Sequence, residues 1–156
     1  MTKFFDLVGK VLFDVQGLEE GSESVGFTAE DGSAFILSHC QECCEDVHIV
    51  DVCGDVEDLI GVPILEAEES TSDEPAGGAE LSLWTFYKLS TIKGSVTIRW
   101  YGESNGYYSV GVAFHEVDVE AERRKAARAL ETLTDRESIR WLLVGVIEKM
   151  KETKRD

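Results

Sequence analysis

The chain has 156 residues, with 15 Lys and Arg against 31 Asp and Glu, 43% hydrophobic residues and two prolines. This balance excludes a disordered or fibrous chain and points to a compact, strongly acidic domain. A formal charge of −16 excludes a direct grip on nucleic acid or anionic lipid, because binding a phosphate backbone needs Lys and Arg to displace its counterions. No run approaches the ~20 apolar residues of a membrane span. Lys3 and Asp6 interrupt the opening Phe4-Phe5 stretch, so it does not read as a secretory leader, and a cytoplasmic location is expected.

In chain order, residues 8–16, 24–28, 34–38 and 46–52 are short and β-rich, separated by glycine-bearing turns at 17–21 and at Asp31-Gly32, and are expected to be strands. A helical turn is expected over 55–60, with Asp55 as its cap and Val56, Leu59 and Ile60 on one side. A polar, glycine-bearing loop over 70–80 then leads to an aromatic strand over 84–89. Val96, Ile98 and Trp100 alternate with Thr97, Arg99 and Tyr101, and Asn105-Gly106 suits a tight primed turn. A hairpin returning through Tyr108, Val110, Val112 and Phe114 is therefore expected.

The last forty residues change to helical spacing. Ala126, Ala127, Leu130 and Leu133 form a narrow apolar stripe, and Ile139, Leu142, Leu143, Val146, Ile147 and Met150 form a wide one, with Thr134 and Glu137 as a capping box between them. The expected architecture is a single α+β domain over 1–156. A twisted antiparallel β-sheet with short N-terminal elements forms an acidic core over 1–115, and two C-terminal α-helices form an extension over 116–156.

The charge is unevenly spread. Residues 116–156 hold ten basic and ten acidic side chains, which cancel, whereas no Lys or Arg lies between Lys10 and Lys88. Residues 11–87 carry 19 carboxylates, among them Glu42, Glu45, Asp46, Glu68, Glu69, Asp73 and Glu74. Such a field repels itself and must be solvated or matched by a cation. One reading is a solvated face that maintains solubility. The sharper one is a decoy whose carboxylates stand in for phosphates in the basic groove of a nucleic-acid-binding protein, with those seven residues making the contact.

All four cysteines and two of three histidines fall within fifteen positions: His39, Cys40, Cys43, Cys44, His48 and Cys53. Cys40-x-x-Cys43 is half of a common zinc pattern. Zinc held by His39, Cys40, Cys43 and Cys44, with Cys53 and His48 as alternates, is one expectation, since thiolate and imidazole select a borderline-soft cation. Three other readings stand beside it: small buried hydrophobic cysteines, a strained vicinal Cys43–Cys44 disulfide, which a reducing compartment disfavours, and a Cys/His nucleophile. The surrounding carboxylates oppose the last by raising thiol pKa values. There is no P-loop, no GxGxxG after a strand, no HExxH and no GxSxG, so no enzymatic activity is expected. Tyr107 is a candidate aromatic anchor for a binding surface.

The run His39-Cys40-Gln41-Glu42-Cys43-Cys44-Glu45-Asp46-Val47, with Gly54-Asp55, Asp58-Leu59-Ile60-Gly61, Trp84-Thr85-Phe86-Tyr87-Lys88 and Lys93 to Trp100, resembles a family of small acidic proteins encoded by phages and prophages. The likeness covers about residues 5–115. That family's pattern places a histidine before a double cysteine, matching His39, Cys43 and Cys44, while Cys40 and Cys53 depart from it. The resemblance implies an inhibitor of host nucleic-acid machinery, including an anti-CRISPR protein that blocks nucleic-acid loading of a type II RNA-guided Cas nuclease. Two alternatives are a metal-dependent enzyme or small-ligand-binding protein using the cysteine cluster, and a virion component dimerising through the stripe over 139–150.

Overall fold

The computed structural model describes residues 1–72 and 81–133. The chain divides into two compact units, Met1–Val117 and Asp118–Asp156. The described part of the first unit holds β1 (Leu12–Gln16), β2 (Ser24–Ala29), β3 (Ala34–Ser38), β4 (Glu45–Cys53), β5 (Glu66–Ser72), β6 (Leu81–Ser90), β7 (Ser95–Ser104) and β8 (Ala113–Val117). They form two four-stranded antiparallel sheets, ordered β1-β2-β3-β8 and β4-β7-β6-β5. Short 3-10 turns occupy Phe4–Leu7 and Val56–Leu59, the second capped by Asp55, whose side chain accepts from the Glu57 N–H at 3.0 Å.

The expectation of one sheet with two C-terminal helices is therefore corrected. The chain is mostly β, with two sheets and, among the described residues, one α-helix, α1 (Val119–Leu133). The segment over 139–150 and the Thr134/Glu137 pair lie outside the described residues, as do 73–80 of the expected loop. Residues 70–72 of that loop instead complete β5.

The expected hairpin fails for a physical reason. Both edges of β7 are occupied, by β6 from Leu81↔Ser104 to Ser90↔Ser95 and by β4 from Glu45↔Ser104 to Cys53↔Thr97. The turn at Asn105-Gly106 forms, with Gly106 at φ +81°, but the strand after it has no edge of β7 to join. It crosses over Gly102, where a Cβ would stand 2.8 Å from Val110 Cβ, and pairs with β3 in the other sheet. There Phe114 lies opposite Leu37 and stacks flat on Phe35, with centroids 5.4 Å apart and planes at 7°.

One buried core joins the two sheets. From the first 3-10 turn, Phe4 meets Phe27 of β2, Phe114 of β8 and Tyr87 of β6, at centroid distances of 6.4, 5.4 and 4.8 Å. Leu37, Ile49, Leu89, Ile98 and Trp100 complete the same apolar cluster. Backbone bonds also lace the sheets together: the Gly21 N–H donates to Ile49 O at 2.7 Å, and the Ile49 N–H donates to Ser22 O at 2.9 Å.

That seam meets an irregularity in β4. The register against β7 slips between Ile49 and Asp51, leaving Val50 as an extra residue. A slip of one residue reverses which face every later side chain points to. His48 and Asp51 consequently share the outer face while Ile49 and Val52 turn towards the core side, and Asp51 comes opposite Arg99.

The second unit, where described, is α1. Asp118 caps it by accepting from the Ala121 N–H at 2.9 Å, and the pairs Glu120–Arg123 and Glu122–Lys125 join neighbouring turns of the same helix. No helix among the described residues is long and apolar enough to cross a membrane.

Candidate functional site

Between β3 and β4 the chain makes a tight turn over 42–45 that is braced from both sides. The Glu45 carboxylate accepts from the Glu42 N–H at 2.7 Å and lies 2.9 Å from His39 Nε2. The other ring nitrogen of His39 donates to Gly111 O at 2.7 Å. Both imidazole nitrogens thus face oxygen acceptors, which fixes the ring in place. The side chains are closely buried, 7% exposed for His39 and 2% for Glu45. The hydrogen bond from His39, assisted by the Glu42 N–H, holds the Glu45 carboxyl below the usual carboxylate range, although burial pushes the other way.

The thiols sit at the tip of this turn. Cys43 Sγ and Cys44 Sγ are 2.8 Å apart, and Cys44 has a left-handed backbone at φ +71°. The hydrogen bond with Cys43 raises the Cys44 thiol pKa above its ordinary value, as do the charge of Cys43 and burial. Tyr108 packs near enough that burial, followed by the charges of Cys43, Glu42, Cys44 and Glu45, raises its phenol. Tyr107 beside it is 83% exposed and meets Tyr108 edge to face at 5.0 Å.

The residues weighed for zinc are placed as follows. Cys40, Cys43, Cys44 and Cys53 are all free and exposed, which corrects the reading of cysteines as buried hydrophobic side chains. His39 uses both nitrogens within the brace, and His48 pairs with Asp46 at 2.9 Å. Cys53 ends β4, about 25 Å along the strand from the turn. Among the described residues, no group of three or more His, Cys, Asp and Glu side chains is placed to hold a metal ion.

Of the residues weighed for partner binding, Glu45 is buried against His39, Glu42 and Asp46 are exposed at the turn, and Glu68 and Glu69 lie exposed on the edge strand β5. Asp73 and Glu74 lie outside the described residues. The sequence reading missed what lies between these carboxylates, the outer face of the second sheet. Register aligns Trp84, Tyr101 and His48 in one row across β6, β7 and β4, Phe86, Arg99 and Asp51 in the next, and Lys88 between Thr97 and Glu68. Trp84 stacks on Phe86 at 6.2 Å and meets Tyr101 at 4.9 Å. A shallow groove of about 230 Å³ runs past Ser72, Trp84, Phe86 and Arg99, and a wider one of about 540 Å³ past Glu68, Glu69 and Lys88. At the end of the face nearest the turn, Asp46 lies directly opposite Glu103. Alternation in β6 and β7 shows which residues share a face, but register alone shows that Glu103 meets Asp46.

An acidic domain of two antiparallel sheets, with an aromatic outer face and an exposed dithiol turn, is thus the class of protein the geometry defines. Residues 6–114 match the family described as a domain of unknown function (DUF7448), and the chain belongs to that family. No curated protein and no solved structure matches the chain.

Proposed function

We propose that the chain is a binding protein of the host cytoplasm that occupies the basic groove of a nucleic-acid-binding protein and blocks nucleic-acid loading. A type II RNA-guided nuclease is the first target to test. The observation that supports this reading most directly is the pairing of four of the first unit's five cations. Lys10, Lys88 and Arg99 each reach one carboxylate, Asp31, Glu66 and Asp51, while Lys93 donates to the backbone carbonyls of Glu57 and Ile60. Arg123 and Lys125 of α1 pair with Glu120 and Glu122 of the same helix. Glu42, Glu68 and Glu103 therefore have no Lys or Arg partner among the described residues, and a complementary basic surface would relieve their repulsion.

The half-exposed rings Trp84 and Phe86 add aromatic anchors flanked by carboxylates, a combination suited to Arg and Lys side chains. The experiment is affinity capture of the nuclease with the full chain over a range of salt, with guide RNA as competitor. Capture that weakens steeply with salt and is displaced by guide RNA supports the reading. Capture indifferent to both, or none at low salt, removes that target.

A further inference from the structure

The turn over 42–45 places two exposed thiols together and fixes the backbone around them. Cys43 Sγ and Cys44 Sγ are 2.8 Å apart, and both cysteines are free. Cys44 holds φ +71°, a conformation that a side-chain-bearing residue keeps only when its surroundings impose it. Those surroundings are visible on both sides. The Glu42 N–H donates to the Glu45 carboxylate, which His39 holds, and the Asn105 N–H donates to Cys44 O at 3.3 Å. Cys53 lies at the other end of β4 beside Asp51, so it is remote from this pair.

We propose that Cys43 and Cys44 form a reversible dithiol–disulfide site whose co-substrate is a small, positively charged disulfide. One thiolate of the pair attacks a sulfur of the reagent RSSR, forming a mixed disulfide and expelling RS⁻, which takes up a proton. The neighbouring thiolate then attacks the protein sulfur of that mixed disulfide, closes the Cys43–Cys44 bond and expels the second RS⁻, which is also protonated. Two electrons pass from the two cysteines to the reagent, and two RSH leave.

Adjacency makes the second step intramolecular, so the mixed disulfide does not accumulate. Charge selects the reagent. Glu42 flanks Cys43, and Asp46 and Glu103 stand opposite each other at the neighbouring end of the outer face, so an anionic disulfide is repelled and an amine-bearing one attracted. The dithiol site stands apart from the proposed partner, and its test needs none.

The test treats the folded full chain with cystamine or with oxidised glutathione, followed by intact-mass measurement, thiol titration and peptide mapping. Closure predicts a Cys43–Cys44 peptide lighter by two hydrogens with no adduct retained on either residue, while the exposed Cys40 and Cys53 stay as thiols or each carry one mixed disulfide. Cystamine should react about tenfold faster than oxidised glutathione at low salt, with the ratio shrinking as salt rises. Cys43→Ser and Cys44→Ser should each trap a stable mixed disulfide on the remaining partner. A link through Cys40 or Cys53, or a native chain that retains adducts on both Cys43 and Cys44, would overturn the site. Equal rates for the two reagents at low salt would overturn the charge selection.

Discussion

His39 and Glu45 form a buried pair in which Nε2 lies 2.9 Å from Oε1, and the same imidazole reaches back to Gly111 O at 2.7 Å. One side chain thereby ties the end of β3, the start of β4 and the segment before β8. The sign of its pH dependence follows from Glu45, whose folded pKa is lowered chiefly by His39. A group shifted downward stabilises the fold fully above its unfolded pKa, about 4.3 for Glu, and that contribution fades as pH falls through the folded value. Glu45→Gln should therefore lower the urea midpoint at pH 7 and flatten its decline below about pH 4. An unchanged acid limb in the variant would contradict the pair's role.

Phe4 lies against both sheets and is 2% exposed. Phe4→Ala removes the ring on which Phe27, Phe114 and Tyr87 converge, and should cost about 3–5 kcal/mol by denaturant unfolding. A cost near that of an exposed phenylalanine would show that the turn over Phe4–Leu7 does not anchor the core.

At Gly102 the crossing strand passes so close that a methyl group would meet Val110 Cβ at 2.8 Å and Val47 Cγ2 at 3.0 Å. Gly102→Ala should destabilise by about 1–3 kcal/mol, as overpacking does in a filled core, and Val110→Ala in the same chain should recover part of the loss. Simple additivity of the two changes would place Val110 elsewhere.

Asp46 and Glu103 face each other across β4 and β7, and like charges directly opposite are destabilising. Glu103→Lys should therefore raise fold stability by about 0.2–1 kcal/mol while weakening the proposed partner's binding. Trp84→Ala, with no charge change, should weaken that binding about tenfold or more while leaving its salt dependence intact.

Sequence legibility varied with the physics involved. Strands β2, β3 and β6 were readable because local alternation and turn residues set them, and Asp55 announced its own cap. The two-sheet division was hidden, because the periodicity of Val110, Val112 and Phe114 marks a strand without saying which edge remains open to it. The slip at Val50 was likewise invisible: His48-Ile49-Val50-Asp51 breaks the alternation, and only pairing shows that the break restores Asp51 to Arg99. At the candidate site, the Cys43–Cys44 adjacency was written in the chain. The capture of both His39 nitrogens depends on Gly111, seventy-two positions away, and Glu103 joins the acidic end only through register.

The most direct measurement is displacement of fluorescent guide RNA from a type II RNA-guided nuclease by the full chain, alongside the Asp46→Lys/Glu103→Lys double variant. Stoichiometric displacement by the native chain at low salt, a steep loss of potency as salt rises, and little displacement by the variant are expected. Equal potency of the two chains, or RNA that stays bound while the native chain binds elsewhere on the nuclease, would contradict the proposed function.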